Sequence, residues 1–237
     1  LIASLGFGAI LKEVIKLRSL KNKLSVHERA EKIIELGSTQ QAMQLCESIS
    51  ADENSSNKVE NLPFEAWKSR VTNQHSAEEV FQIYDSTVLA EKDKQAEKLI
   101  ARYSSEAALM VALSPLAIAD MLLVGWRNIA LLNRLTEIYG IELGYWSRLK
   151  LIKSILVHMA AAGASELAID AGADALSMDL TAKVSARAAQ GIGVGILTAR
   201  LAIRTVTLIR PLTWPESEKI KLGDIRKALV DKLKSTL

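Results

Sequence analysis

Three long apolar stretches, each interrupted by ionisable side chains, set the tightest limit on what this chain can fold into. They are LMVALSPLAIADMLLVGW (109–126), LIKSILVHMAAAGASELAIDAGADAL (151–176) and AAQGIGVGILTARLAIRTVTLI (188–209). Asp120 stands in the first; His158, Glu166, Asp170 and Asp174 in the second; Arg200 and Arg204 in the third. A charge at the centre of a bilayer costs roughly 2.5–3.5 kcal/mol, so a simple set of spanning helices is a poor solution. No segment alternates apolar and polar residues with period two over any length, which argues against sheet. The expected fold class is all-α: the end of a truncated transmembrane helix, a polar helical segment, then an apolar Gly/Ala-rich multi-helix domain.

The N-terminus supports the first of these parts. LIASLGFGAIL (1–11) is apolar and uncharged but shorter than the ~20 residues that cross a bilayer. It reads as the tail of a transmembrane helix, with Leu1, Ile2, Leu5, Phe7, Ile10 and Leu11 as the anchoring side chains. Lys12, Lys16, Arg18, Lys21 and Lys23 follow, against Glu13 alone. A basic cluster just after an apolar run marks the cytoplasmic side, so the bulk of the chain is expected there. A buried helix followed by a solvated basic face is the alternative.

Further along, four segments are expected: 1–36, the membrane helix end and a basic juxtamembrane helix; 37–104, a polar helical stalk or cap with a loop at 51–63; 105–214, the apolar helical domain; and 215–237, an amphipathic C-terminal helix. Ser25 with Glu28, Ser38 with Gln41, and Ser76 with Glu79 have the spacing of capping boxes. Val80, Phe81, Tyr84, Val88 and Leu89 mark one apolar face of a helix running on from Ser76. Asp224 is placed to cap the last helix, with Leu222, Ile225, Leu229 and Leu233 as its apolar stripe. The stretch 114–140, though greasy enough for lipid, is expected to be buried in protein.

Spacing within the apolar stretches adds detail. Glu166, Asp170 and Asp174 step by four residues and share one helix face. Ala160, Ala164, Ala168 and Gly172 also step by four, offset about 200° around the helix. Gly191, Gly195 and Ala199 form a second small-residue stripe, and Arg200 and Arg204 a basic one. Small residues let helix backbones approach closely. The acidic and basic stripes either pair across such a contact or both face water. Asp120 and Arg127 lie seven residues apart on one face, expected to meet another helix within the chain or in a second copy. Trp126, Tyr139, Tyr145, Trp146 and Trp214 fit either a membrane-interface belt or a core.

The sequence offers no catalytic constellation. GIGVG (191–195) follows a helical segment, and its third glycine comes too early for a dinucleotide fingerprint. There is no GxxxxGK[ST], HExxH or GxSxG. Three acids along one helix span about 12 Å, too far for one cation. Cys46, the single cysteine, cannot form an internal disulfide, and a net charge of +3 is too small to imply nucleic acid. No enzyme activity, cofactor or metal is expected.

SPLAIADMLLVGWRNIALLNRLTEIYGIELGYWSRLKLI (114–152), AGASEL (162–167), SARAAQGIGVGILTARL (185–201) and RPLTW (210–214) together resemble the YcjF-type inner-membrane proteins of gammaproteobacteria. The resemblance covers most of the chain from about residue 62. It implies two transmembrane helices near the N-terminus, a C-terminal helical domain like one attached to some P-loop GTPases, and no established enzymatic activity. It also implies a candidate partner, a YcjX-type P-loop GTPase linked with envelope stress. Membrane lipid and a second copy of the chain are the other partners expected.

Overall fold

The computed structural model describes residues 26–54, 62–113, 117–141, 152–153, 186–214 and 219–236. Every regular element among them is helical. In chain order these are α1 (Val26–Leu36), α2 (Thr39–Asn54), α3 (Leu62–Arg70), α4 (Ala77–Tyr84), a π-helical turn (Asp85–Leu89), α5 (Ala90–Leu113), α6 (Ala117–Ile138), α7 (Ala186–Ile209) and α8 (Leu222–Thr236). The membrane-anchor residues and their basic flank, and the acidic and alanine stripes of 160–174, lie outside the described residues, as does Ser25.

Side chains that punctuate the sequence set the helix ends. Gly37 closes α1, its N–H bonding the carbonyl of Ile33 at 2.9 Å. A Cβ on Gly37 would lie 2.7 Å from that oxygen, so only glycine fits. Before α2, Ser38 N–H donates to Gln41 Oε1 at 3.0 Å, and Gln41 N–H returns to Ser38 Oγ at 3.3 Å. Before α4, Ser76 N–H donates to Glu79 Oε2 at 2.7 Å and Glu79 N–H to Ser76 Oγ at 3.2 Å. Each pair satisfies two helix-end donors reciprocally.

Three local expectations need correction. The helix expected from Ser76 onward is interrupted by the π-helical turn. Ser86 Oγ and Thr87 Oγ1 both donate to the Ile83 carbonyl, at 3.2 and 2.5 Å. These hydroxyls compete with the backbone for that oxygen, and the turn widens. The expected loop at 51–63 is shorter, since α2 runs to Asn54 and α3 already includes Pro63 in its first turn. Finally, α8 starts at Leu222, so Asp224 sits in the first turn instead of at the cap, where its charge still complements the helix dipole.

The chain divides into two compact units, neither continuous in sequence. Unit 1 comprises Leu1–Glu97, Arg134–Ser147 and Val206–Lys219; unit 2 comprises Lys98–Asn133, Arg148–Thr205 and Ile220–Leu237. Unit 1 is built around Trp67, fully buried between Phe64, stacked at 5.3 Å, and Tyr84, edge-on at 5.5 Å. Its indole N–H reaches the Val80 carbonyl at 3.3 Å, and Tyr84 OH bonds Ser50 Oγ at 2.9 Å. The polar tips of both rings are therefore satisfied where they are buried. Cys46 belongs to the same core, and burial pushes its thiol well above the ordinary range.

Candidate functional site

Unit 2 is organised by glycine. A Cβ on Gly191 would come within 2.4 Å of the Ala108 carbonyl, and one on Gly195 within 2.9 Å of the Ser104 carbonyl and 3.0 Å of Leu229. The α7 backbone therefore rests directly on α5, with α8 against it. As α7 advances from 191 to 195, its contacts on α5 move back from 108–112 to 104–108, so the two helices run antiparallel. Ala199 continues the stripe and is fully buried. Gly193 and Gly125 have open space where a side chain would stand.

Arg127 of α6 meets α5 as well. Its Nη2 donates to Glu106 Oε2, and its guanidinium lies 5.0 Å from the centre of the Tyr103 ring. Arg102 Nε donates to the other oxygen of Glu106 at 2.9 Å. The expected meeting of the Arg127 face with another helix occurs within the chain. The side chain of Asp120 lies outside the described residues, and Arg200 and Arg204 sit half-buried on α7.

Beyond the Glu106 level, unit 2 changes character. Residues 107–113 of α5 and 188–194 of α7, which lie beyond that level in the antiparallel register, carry no charge, while Asp120 of α6 and Arg187 of α7 stand at the same end. Ala107, Val111 and Val124 form a small core there, with Val194 packed on it. The exterior of this end carries Leu113, Leu122, Leu123 and Trp126, all exposed, with Ile129 and Leu197 exposed nearer the Glu106 level; Leu122 keeps 74% and Trp126 73% of its surface open. The expected burial of 114–140 therefore holds for one face only. Val124, Leu131, Leu132 and Leu135 face inward, while Leu122, Trp126 and Ile129, one helical repeat apart, face outward. Exposed apolar side chains on successive turns of one helix face are the kind of feature that interaction surfaces share.

Among the described residues, unit 1 holds a concentrated group of charged side chains around Arg210. This arginine is 1% exposed. Its Nη2 donates to Asp85 and, at 2.9 Å, to Asp93; its Nε donates to Asp93 at 3.2 Å; its Nη1 donates to the carbonyls of Leu212 (2.9 Å) and Thr213 (3.4 Å). Tyr139 OH donates to Asp93 Oδ1 at 2.6 Å, and the Trp214 ring lies 5.5 Å from the guanidinium. Burial alone would lower the pKa of Arg210, but hydrogen bonds to Asp93 and the charges of Asp93 and Asp85 outweigh it and hold the group above its ordinary value. Burial, then the Asp93 charge, pushes the Tyr139 phenol upward. The five guanidinium N–H donors are all engaged. The group is a saturated structural node with no valence left for a ligand.

Sequence reasoning missed that node. Its signal was an arginine beside a proline at the end of an apolar run, in RPLTW. Tyr139 and Trp214 belong to the core, being 1% and 5% exposed; of the described aromatics proposed for an interface belt, Trp126 alone is exposed. Elsewhere, a polar groove beside α2, lined by Ser38, Thr39, Met43, Glu47 and Asn73, brings together no nucleophile with a base. Among the described residues no cluster of His, Cys, Asp or Glu could hold a metal ion.

Residues 75–235 match a family described as a domain of unknown function, DUF697. A UPF0283 membrane protein of Vibrio parahaemolyticus is 50% identical over 234 residues, 99% of this chain and 67% of that protein. UPF0283 membrane proteins of Photobacterium profundum and Yersinia pestis are 44% and 42% identical, over 98% and 100% of this chain and 66% and 67% of their own lengths. The chain thus spans about two thirds of these relatives. No solved structure matches it.

Proposed function

The chain belongs to the UPF0283 membrane protein family, and from that membership we propose that it is a membrane-anchored, non-enzymatic helical binding module. It acts as an adaptor or effector for a YcjX-type P-loop GTPase in envelope stress, with its bulk on the cytoplasmic face of the bacterial inner membrane. The observation that supports a binding module is the exposed apolar face of unit 2. Leu122, Leu123 and Trp126 stand open there, beside the close helix packing of α5 and α7. Rigid presentation lowers the entropy lost on association. The GTPase partner rests on the resemblance of the motifs at 114–152, 162–167, 185–201 and 210–214.

A second reading, a self-associating structural or membrane-remodelling protein whose 105–214 region inserts partly in the bilayer, is weakened in one respect. The Gly191–Gly195–Ala199 stripe that would drive self-association is already occupied by α5 of the same chain. Partner capture separates the readings. Leu122→Asp and Trp126→Asp, in full-length variants whose helix content and unfolding transition match the parent, are expected to weaken capture of the GTPase. Capture at the parent level by both variants would place the contact elsewhere.

A further inference from the structure

We infer that Ser104 of α5, Asn128 of α6 and Thr198 of α7 form an internal polar site in unit 2 that holds ordered water. The inference stands apart from the partner reading and concerns the helix core of this unit.

Register brings the three residues to one level. The Cβ atoms of Ala112 and Ala108 stand 3.0 Å from where a Cβ on Gly191 and on Gly195 would lie. Ser104 continues that face of α5 by one turn and, in the same register, lies opposite Ala199. Ala107, Val111 and Val124 form the small core of this unit, with Val194 packed on it. Val124 of α6 thus meets 107 and 111 of α5, and Arg127 meets 103 and 106, so α6 also runs antiparallel to α5. One turn beyond the small core, toward lower numbers on α5 and higher numbers on α6 and α7, each helix sets a polar residue. Ser104 precedes Ala107 by three positions, Asn128 follows Val124 by four, and Thr198 follows Val194 by four.

Each of the three brings a buried polar atom with no hydrogen-bond partner in the protein: Ser104 Oγ, Asn128 Oδ1 and Thr198 Oγ1. Ser104 is 0% and Thr198 1% exposed, so bulk water does not serve them. Other helix hydroxyls of this chain are satisfied locally. Thr205 Oγ1, two turns along α7, donates to the Leu201 carbonyl at 2.7 Å, and Ser48 Oγ donates to that of Leu45 at 2.7 Å. Ser104 and Thr198 make no such bond, and the three atoms do not bond one another. Buried polar groups in folded proteins are paired, and polar groups that converge without touching are bridged by water. A buried water makes about three hydrogen bonds. This site offers that number: two hydroxyls, each able to donate or accept, and one amide oxygen that accepts. Ala107, Ala108, Ala199 and Ala202, which border it, are buried and short, and they leave interhelix space that larger side chains would fill.

A shared water also specifies alignment. Sliding any of the three helices by a turn toward the small core would separate the ligands and set a polar group against valine. The site therefore favours one register of α5, α6 and α7.

The test uses the full-length protein in mild detergent. Magnetic relaxation dispersion of water oxygen-17 counts long-lived internal waters. Thr198→Val keeps the side-chain shape and removes the hydroxyl; Thr198→Ser keeps the hydroxyl. Thr198→Val is expected to lose the dispersion amplitude of at least one water and to lower the midpoint of chemical denaturation. Thr198→Ser is expected to retain the amplitude. Unchanged amplitude in Thr198→Val would overturn the inference; a raised midpoint beside it would mark the removal of a dry, unpaired hydroxyl. Equal loss in Thr198→Ser would overturn the hydroxyl as the water's ligand. Should Thr198→Val not fold, Ser104→Ala is read in its place, with the same loss expected and unchanged amplitude overturning the site.

Discussion

Arg210 is the buried charge on which the Asp85–Asp93 pair of unit 1 depends. Its removal leaves Asp85 and Asp93 buried without their counter-charge, and breaking a buried pair from one side costs about 3–5 kcal/mol. Arg210→Ala is expected to lower unfolding stability by that amount in chemical denaturation of the full-length protein; a loss below about 1 kcal/mol would mean that solvent reaches the acids. Gly191 and Gly195 act oppositely, by having no side chain. Gly195→Val must push against the Ser104 carbonyl and Leu229, and overpacking of this kind costs about 1–3 kcal/mol. Gly193→Ala, which meets nothing within 4 Å, gains helix propensity of about 1 kcal/mol; equal effects at both positions would contradict the close approach of α5 and α7. The glycine stripe was legible from its four-residue spacing. Arg210 was not, because its acidic partners come from positions 85 and 93, and no local pattern announces a contact across more than a hundred residues.

Among the elements, α4 shows what local sequence determines. Ser76 and Glu79 satisfy each other's backbone, and both bonds follow from identities three residues apart. Ser76→Ala is expected to cost about 1 kcal/mol, measured by the shift of the unfolding midpoint. The Ser76 backbone N–H, then its hydroxyl, hold the Glu79 carboxylate below its ordinary pKa. Its contribution is therefore present above the unfolded-state pKa and lost as pH falls through the lower folded value. Ser76→Ala should narrow the difference in stability between neutral and acidic solution; an unchanged pH dependence would contradict the reciprocal cap. The π-helical turn that follows was not legible. Apolar positions 80, 81, 84, 88 and 89 fit an unbroken α-helix equally well, and the distortion depends on where two hydroxyl protons go. For α6, sequence gave the helix but not the split of its apolar residues between core and exterior. Leu122 and Leu131 are chemically identical, yet one is 74% exposed and the other fully buried. Packing against α5 and α7 makes that distinction.

At the scale of the whole molecule, the all-α class was readable from the lack of period-two patterning, and it holds for every described element. The division into units was less accessible, since each unit gathers three separate segments and a linear pass sees only shifts in composition along the chain. The same limit applies to function: the sequence shows no familiar catalytic motif, and the functional proposal is one of association. It is tested most directly by co-purification. Full-length protein is solubilised in mild detergent with the P-loop GTPase, under GDP and separately under a non-hydrolysable GTP analogue. Capture of the GTPase in one nucleotide state and not the other is the expected result, and it would make this protein the membrane-bound reader of a switch. Absence of capture in both states would contradict the adaptor role.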